Sequence, residues 1–338
     1  MATRLQRTIK NKEHGLNPIW LMRQAGRYMP EYMQIKNNSK GFLDMALTPS
    51  KATEITLQPI NEFDMDAAII FSDILIIPYA LGQELDYTPG PVMGKLDYRI
   101  LETNIEDFLH RCKPVYDAIK QTRKQLDDSK SLIGFAGAPW TLYRYMSGIN
   151  STSQLDHRQA QYVMERLTHY VTQHLVEQIK AGCDTVQIFD SWASDIHISH
   201  LVPYCFNPTV KIVDYIRLHY PEVGIIAFPR LLGENINMFQ SWVKPDCLSL
   251  SDDMPLWWIT NELSGCLQGG IDTKVLLSEH LGHIENLTRT FMEHFQGIPY
   301  VVNLAHGVNK ETPVENVRCM VEFVKRNRKL EKWSDLTI

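Results

Sequence analysis

Arg23 and Arg27 stand four residues apart in IWLMRQAGRYMPEY (19–32), at the end of a short apolar run and separated by Gln24, Ala25 and Gly26. Any exposed helix face offers the same spacing. Here Gly26 and Pro30 argue against a continuing helix, and residues 18–22 read as a buried strand. Both guanidinium groups then fall on a strand-to-loop exit, where functional side chains collect. A planar fork of donors matches a carboxylate or phosphate at two points, so the chemistry to expect is recognition of an anionic ligand.

Asp73, in FSDIL (71–75), follows one apolar run and precedes another. A Ser-Asp pair after a strand can cap a helix or close a turn. An aspartate in apolar surroundings must otherwise be paired, protonated, or held for a ligand that is cationic or carries N–H groups. GFAGAPWTLYRYM (134–146) joins small residues to Trp140, Tyr143 and Tyr145, which supply flat faces and two hydroxyls to a core or to a bulky ligand. It contains neither of the glycine-rich phosphate-binding patterns. FDSWAS (189–194) carries Ser191 outside a nucleophile elbow, which favours a hydrogen-bonding serine. NLAHG (303–307) places His306 after the last apolar run, as a hydrogen-bonding residue, a ligand or a base.

These residues need elements to bring them together, and the chain supplies a repeating pattern. Eight short apolar runs (18–22, 66–71, 131–137, 184–189, 223–228, 246–251, 266–270 and 300–304) each end in a polar or glycine-containing turn followed by a helix-like stretch. Thr48-Pro49 reads as an N-cap with proline at the first helical position of a helix through 51–63. Residues 153–181 form an amphipathic stretch stopped by Gly182, and 313–329 another with basic residues near its end. Eight βα units without a linker predict a single-domain (β/α)8 barrel spanning 1–338, with a short N-terminal extension of about 1–15. The rival is a doubly wound open sheet. In a barrel, Arg23, Asp73, Ser191, Arg230, Asp252, Asp272 and His306 would ring one mouth at the C-terminal ends of the strands.

Composition narrows the function. The 338 residues are 44% hydrophobic and 22% charged, with a net charge of -5 and no Lys/Arg-rich run, which speaks against nucleic acid or an anionic membrane as partner. No apolar stretch spans a bilayer and the first residues lack a secretory pattern, so a cytoplasmic location is expected. The six cysteines are expected to be reduced core thiols without histidines at metal-ligand spacing, and the sequons at Asn150 and Asn286 to be chance matches.

Together MRQAGRYMPEY, AAIIFSDIL, GFAGAPWTLYRYM, FDSWAS and NLAHG resemble, in order and spacing, the uroporphyrinogen decarboxylase family from about Pro18 to the last helix. The resemblance implies a (β/α)8 barrel, a homodimer with facing clefts, and no metal or organic cofactor. It implies a cyclic tetrapyrrole substrate with eight carboxylates, of which four acetate arms become methyls. It assigns substrate contacts to Arg23, Gln24, Ala25, Gly26 and Arg27, with the two arginines clamping carboxylates and Arg23 close to the chemistry. Asp73 would accept hydrogen bonds from the pyrrole N–H groups, and Tyr145, Ser191 and His306 would bind around the rim. Three positions depart from the family pattern: Lys36 where a further arginine is common, Gly270 in QGGIDT where QGNLDP is common, and Ala305 in NLAHG. Two other readings compete. One is a zinc-dependent corrinoid or thiol methyltransferase on the same barrel, which needs a His-x-Cys and a distant Cys; the other is a tetrapyrrole-binding relative without activity.

Overall fold

Apolar runs that alternate little between apolar and polar residues suit strands buried on both faces. In the computed structural model, which describes residues 2–87, 90–149, 151–152 and 155–328, seven of the eight runs make one parallel sheet. The order is β1 (Ala67–Ile69), β4 (Ser131–Gly137), β5 (Thr185–Asp190), β6 (Gly224–Pro229), β7 (Cys247–Leu250), β8 (Cys266–Gly269) and β9 (Tyr300–Val301). Between β1 and β4 the chain also makes a separate antiparallel hairpin of β2 (Leu85–Asp86) and β3 (Val92–Met93). The first run, 18–22, closes the ring by bonding to both edges. Val302 N donates to Pro18 O (2.9 Å) and Trp20 N to Val302 O (3.4 Å), while on the other side Asp66 N donates to Ile19 O (2.9 Å). Only Ile19 pairs in register, with Val302, so this stave is an extended segment rather than a full strand.

Helices fill the connections. α1 (Arg4–Ile9) precedes the first stave, and α2 (Pro30–Asn37), α3 (Phe42–Ala46) and α4 (Pro49–Phe63) lead into β1. α5 (Ile76–Leu81) and α6 (Ile105–Gln125) lie between β1 and β4, and α7 (Pro139–Ser147) and α8 (His157–Ala181) between β4 and β5. α9 (Asn207–His219), α10 (Asn235–Val243), α11 (Leu256–Glu262), α12 (Leu281–His294) and α13 (Val314–Asn327) follow the remaining strands. Thr48 stands at the N-cap of α4 as the sequence suggests, but its hydroxyl donates to Asp44 Oδ1 and caps nothing. Gly182 does stop α8, at φ +124°. The expected helix starts and ends at Ser153 and Lys329, and the sequon at Asn150, lie outside the described residues.

Alternation along the staves sends one set of side chains into the barrel. Trp20, Met22, Ala67, Ile133, Ile226, Phe228, Cys247, Cys266 and Val301 pack there with Leu5 and Ile9 of α1, which plugs the N-terminal end. A polar layer crosses the middle: Trp20 Nε1 donates to Gln268 Oε1 (3.0 Å), and Gln268 Nε2 reaches Gln187 and Ser249. Above it, toward the C-terminal end, Phe135, Phe189 and Phe228 meet edge to face at centroid separations of 5.6 and 6.2 Å. All six cysteines are free and buried, as expected.

Outside the barrel, α6 and α8 enclose His174, whose Nδ1 pairs with the Tyr116 hydroxyl at 2.9 Å. Burial pushes His174 down to about 3 from an ordinary value of 6.5. The folded state therefore resists the proton that the unfolded chain accepts, so stability is full above pH 6.5 and falls as the pH drops toward 3. Removing the imidazole with His174→Gln should flatten the dependence of unfolding free energy on pH below 6 by up to about 1.4 kcal/mol per pH unit. Denaturant titrations at pH 7 and pH 5 check this.

Candidate active site

The first stave ends on a backbone that few side chains adopt. Arg23 sits at φ +58°, in the left-handed region, at a cost of about 1 kcal/mol. The loop is held in that shape from below by Gln24, fully buried, whose Oε1 accepts from Leu21 N (3.1 Å) and whose Nε2 donates to Ala67 O (3.1 Å). Tyr28 adds a bond from its hydroxyl to Gln24 O (2.6 Å). With both ends of its amide engaged, the Gln24 side chain braces the loop from which a contact with substrate is expected. Ala25 and Gly26 are half-buried at the turn, and Arg23 and Arg27 are exposed beyond it.

The last βα loop completes the seat of Arg23. Val308 N donates to Met22 O (2.9 Å), which lays Gly307 against the arginine stem. A Cβ on Gly307 would stand 2.3 Å from Arg23 Cδ and 2.6 Å from Cγ, so glycine is required for the guanidinium to take this path. Gly307→Ala is expected to keep the fold and cut kcat/KM at least about tenfold by displacing Arg23, a change of about 1.4 kcal/mol in transition-state stabilisation. Steady-state kinetics beside a melting curve would show it.

Next to Gly307, burial pushes His306 below its ordinary value, and the Arg23 and Arg230 cations push the same way, against Asp252. Four side chains expected at the mouth, Arg23, Arg230, Asp252 and His306, are thus within electrostatic reach of one another. His306 is neutral at pH 7 and can donate or accept a hydrogen bond. Arg23, Arg27 and Arg230 form no ion pair with a carboxylate among the described residues, although most arginines of the chain do. They are free to take a ligand's anions. Asp272, expected at the same rim, spends its Oδ1 on Lys274 N (2.9 Å), capping a 3-10 turn.

Asp73 follows β1 and is half-buried. Its Oδ1 accepts from Leu75 N (2.8 Å). Burial raises its carboxyl above the usual range, while the Leu75 N–H, the Tyr87 hydroxyl and the Arg23 charge oppose that rise. The apolar surroundings read from the sequence are real, and Arg23 faces the carboxylate from the neighbouring loop. Of the aromatic trio in α7, Trp140 and Tyr143 are core, 0% and 1% exposed. Tyr145 alone stands half-exposed, edge-on to Trp192 at 5.9 Å. Ser191 is half-buried at the end of β5, between Asp190 and Trp192. Asp190 faces outward and anchors the turn: its Oδ1 accepts from Thr141 Oγ1 (2.6 Å), which in turn accepts from Trp192 N (3.1 Å). The partly exposed Phe135 and Phe189 floor the opening. A half-buried carboxylate at one strand end, aromatic side chains inside the barrel toward the same end, and arginines without an ion-pair partner among the described residues suit a ligand that joins N–H or cationic groups to several anionic ones.

The family model for uroporphyrinogen decarboxylase (URO-D) matches residues 1–327. The chain belongs to the uroporphyrinogen decarboxylase family. Uroporphyrinogen decarboxylase of Brucella anthropi is 35% identical, covering 96% of this chain and 99% of the relative, and that of Rickettsia bellii is 37% identical over 91% and 94%. Among solved structures, a methyltransferase from Methanosarcina mazei superposes with a TM-score of 0.78 at 16% identity, covering 96% of this chain and 97% of the other. A B12-independent methionine synthase from Shewanella gives 0.57 at 11% identity over 86% and 89%. At such identities the likeness is one of fold.

As a uroporphyrinogen decarboxylase family member the chain is an α/β barrel and a carboxy-lyase by kinship. The zinc methyltransferase alternative is not favoured. Contrary to the expectation, one cysteine does have a histidine neighbour, since His110-Arg111-Cys112 shows the His-x-Cys spacing. It lies in α6 on the outside of the barrel, with His110 exposed and Cys112 buried, and no group of three His, Cys, Asp or Glu side chains converges among the described residues. Two family departures turn out to be buried rather than rim features. Gly270, at φ +87°, packs on Phe291, and Ala305 N donates to Ile271 O (2.7 Å). Lys36 is exposed at the end of α2. The sequence pattern assigns no role to Tyr87, Gly307 or the phenylalanine floor, whereas Arg230 was expected at the mouth. For Gly307 the signal was present, a glycine directly after a mouth histidine; for Tyr87 there was none.

Proposed function

We propose that this chain removes the four acetate carboxyls of uroporphyrinogen III as CO2, giving coproporphyrinogen III in tetrapyrrole biosynthesis, without metal or organic cofactor. The single observation that carries the proposal is Asp73: a half-buried carboxylate that feels the Arg23 charge, next to a mouth whose arginines form no ion pair among the described residues. The names of the relatives supply the substrate.

The chemistry gives each group a task. Losing CO2 from an acetate arm leaves an electron pair that needs a sink. A proton added to the pyrrole carbon adjacent to the one that bears the arm makes the ring cationic and supplies that sink, so the C–C electrons flow into an exocyclic double bond to the ring as CO2 departs. A proton on the exocyclic methylene completes the methyl group, the ring proton is lost, and each cycle consumes one proton net. Asp73, fixed by Leu75 N–H, holds the pyrrole N–H groups and stabilises the cation by preorganised charge. Arg23 and Arg27 clamp carboxylates, with Tyr145, Ser191 and neutral His306 around the rim; each charged contact is worth about 1.5 to 3 kcal/mol. Arg23, opposite Asp73, is the arginine closest to the reacting arm.

The family further implies one domain for the whole chain, a homodimer and a cytoplasmic enzyme; among the described residues no helix is long and apolar enough to cross a membrane. Anaerobic incubation of the purified protein with uroporphyrinogen III, with products separated by carboxyl number, tests the proposal. Stepwise loss from eight carboxyls to four is expected. No product from folded protein would leave the inactive tetrapyrrole-binding relative in its place.

A further inference from the structure

We infer that Tyr87 is a positioning residue for Asp73, its phenolic O–H placed to donate to the carboxylate and so to fix the oxygen that a ligand N–H or ring cation must meet. The inference deepens the role given to Asp73 above and rests on that reading.

Two independent observations carry it. First, the Tyr87 hydroxyl is shut off from solvent and meets no bonding geometry with any described group, yet it faces Asp73 closely enough for each to shift the other's proton affinity. A buried phenol without a partner is costly, and the neighbouring carboxylate is the acceptor it lacks. Second, the ring is held in place from behind. Tyr87 packs on Phe42 at 4.5 Å, Phe42 on Phe71 at 5.4 Å, and Phe71 on Tyr32 at 5.8 Å, an aromatic row that ties the β2–β3 hairpin to α2, α3 and the end of β1. The groups facing Asp73 are then Leu75 N–H, Tyr87 and Arg23, and Tyr145 faces Tyr87 from α7. Leu75 and Arg23 come from the backbone and the opposite loop; Tyr87 alone brings a neutral donor on an aimed, rigid ring.

Tyr87→Phe keeps the ring and its Phe42 contact and deletes only the donor. Without it the ionised carboxylate is less favoured, so the Asp73 carboxyl should titrate about half a pH unit or more higher. The readout is carbon NMR of aspartate-labelled, ligand-free protein, with the Asp73 signal assigned by its loss in Asp73→Asn. In parallel, the acid limb of kcat/KM should move the same way and kcat should fall about fivefold or more, with KM little changed. An unshifted carboxyl titration in folded Tyr87→Phe overturns the inference. An inactive wild type in which the titration still shifts would instead sink the decarboxylase reading while leaving the Tyr87–Asp73 coupling in place.

Discussion

Asp73→Asn is expected to lower kcat by at least about 100-fold while KM changes by less than tenfold. The amide is nearly isosteric and keeps the Leu75 N–H bond through its oxygen, so the turn after β1 should survive. What disappears is the negative charge aimed at the ring when it becomes cationic, an interaction far stronger in the transition state than in the ground state. Substrate carboxylates still find the arginines, which is why binding suffers less than turnover. Burial already raises Asp73, so the wild-type enzyme should lose activity on acidification at a pH above that of an ordinary aspartate. Product analysis by carboxyl number, at saturating and at low substrate, separates the two effects.

Arg23→Gly is the second large effect, and it splits function from stability. Glycine relieves the left-handed strain at φ +58°, worth about 1 kcal/mol, against a similar entropic cost of adding a glycine to the unfolded chain. The melting temperature should therefore stay within a few degrees of wild type, although the stem no longer covers Gly307. Turnover should fall by about 100-fold or more, because the cation nearest Asp73 is gone. Arg27→Gly, which removes an exposed cation further along the loop, should act mainly on KM. A variant equally stable and equally active at position 23 would mean that the strain there serves no catalytic purpose.

How much of this was legible in the residues differs from element to element. The barrel was readable because its staves are short apolar runs in a fixed rhythm, and even the weakest, CLQGG, forms β8. The closing stave was right in place but not in form, since register depends on neighbours that a single run cannot reveal. At the mouth, Asp73, Arg23 and His306 announced themselves as polar residues at strand ends. Gln24 looked the same on paper, yet the depth of its side chain, set by Leu21 and Ala67, decides that it braces. Asp272 was equally ambiguous until a backbone N–H claimed it. Tyr87 was invisible, because its link to Asp73 joins a hairpin to a strand end through three-dimensional packing alone.

The measurement that bears most directly on Asp73 is a crystal structure of the protein with coproporphyrinogen III, grown without oxygen. Pyrrole nitrogens are expected within about 3.2 Å of the Asp73 carboxylate, with propionates on the mouth arginines. A macrocycle bound elsewhere, or one seated in the mouth with its nitrogens turned away from Asp73, would contradict the role given to Asp73.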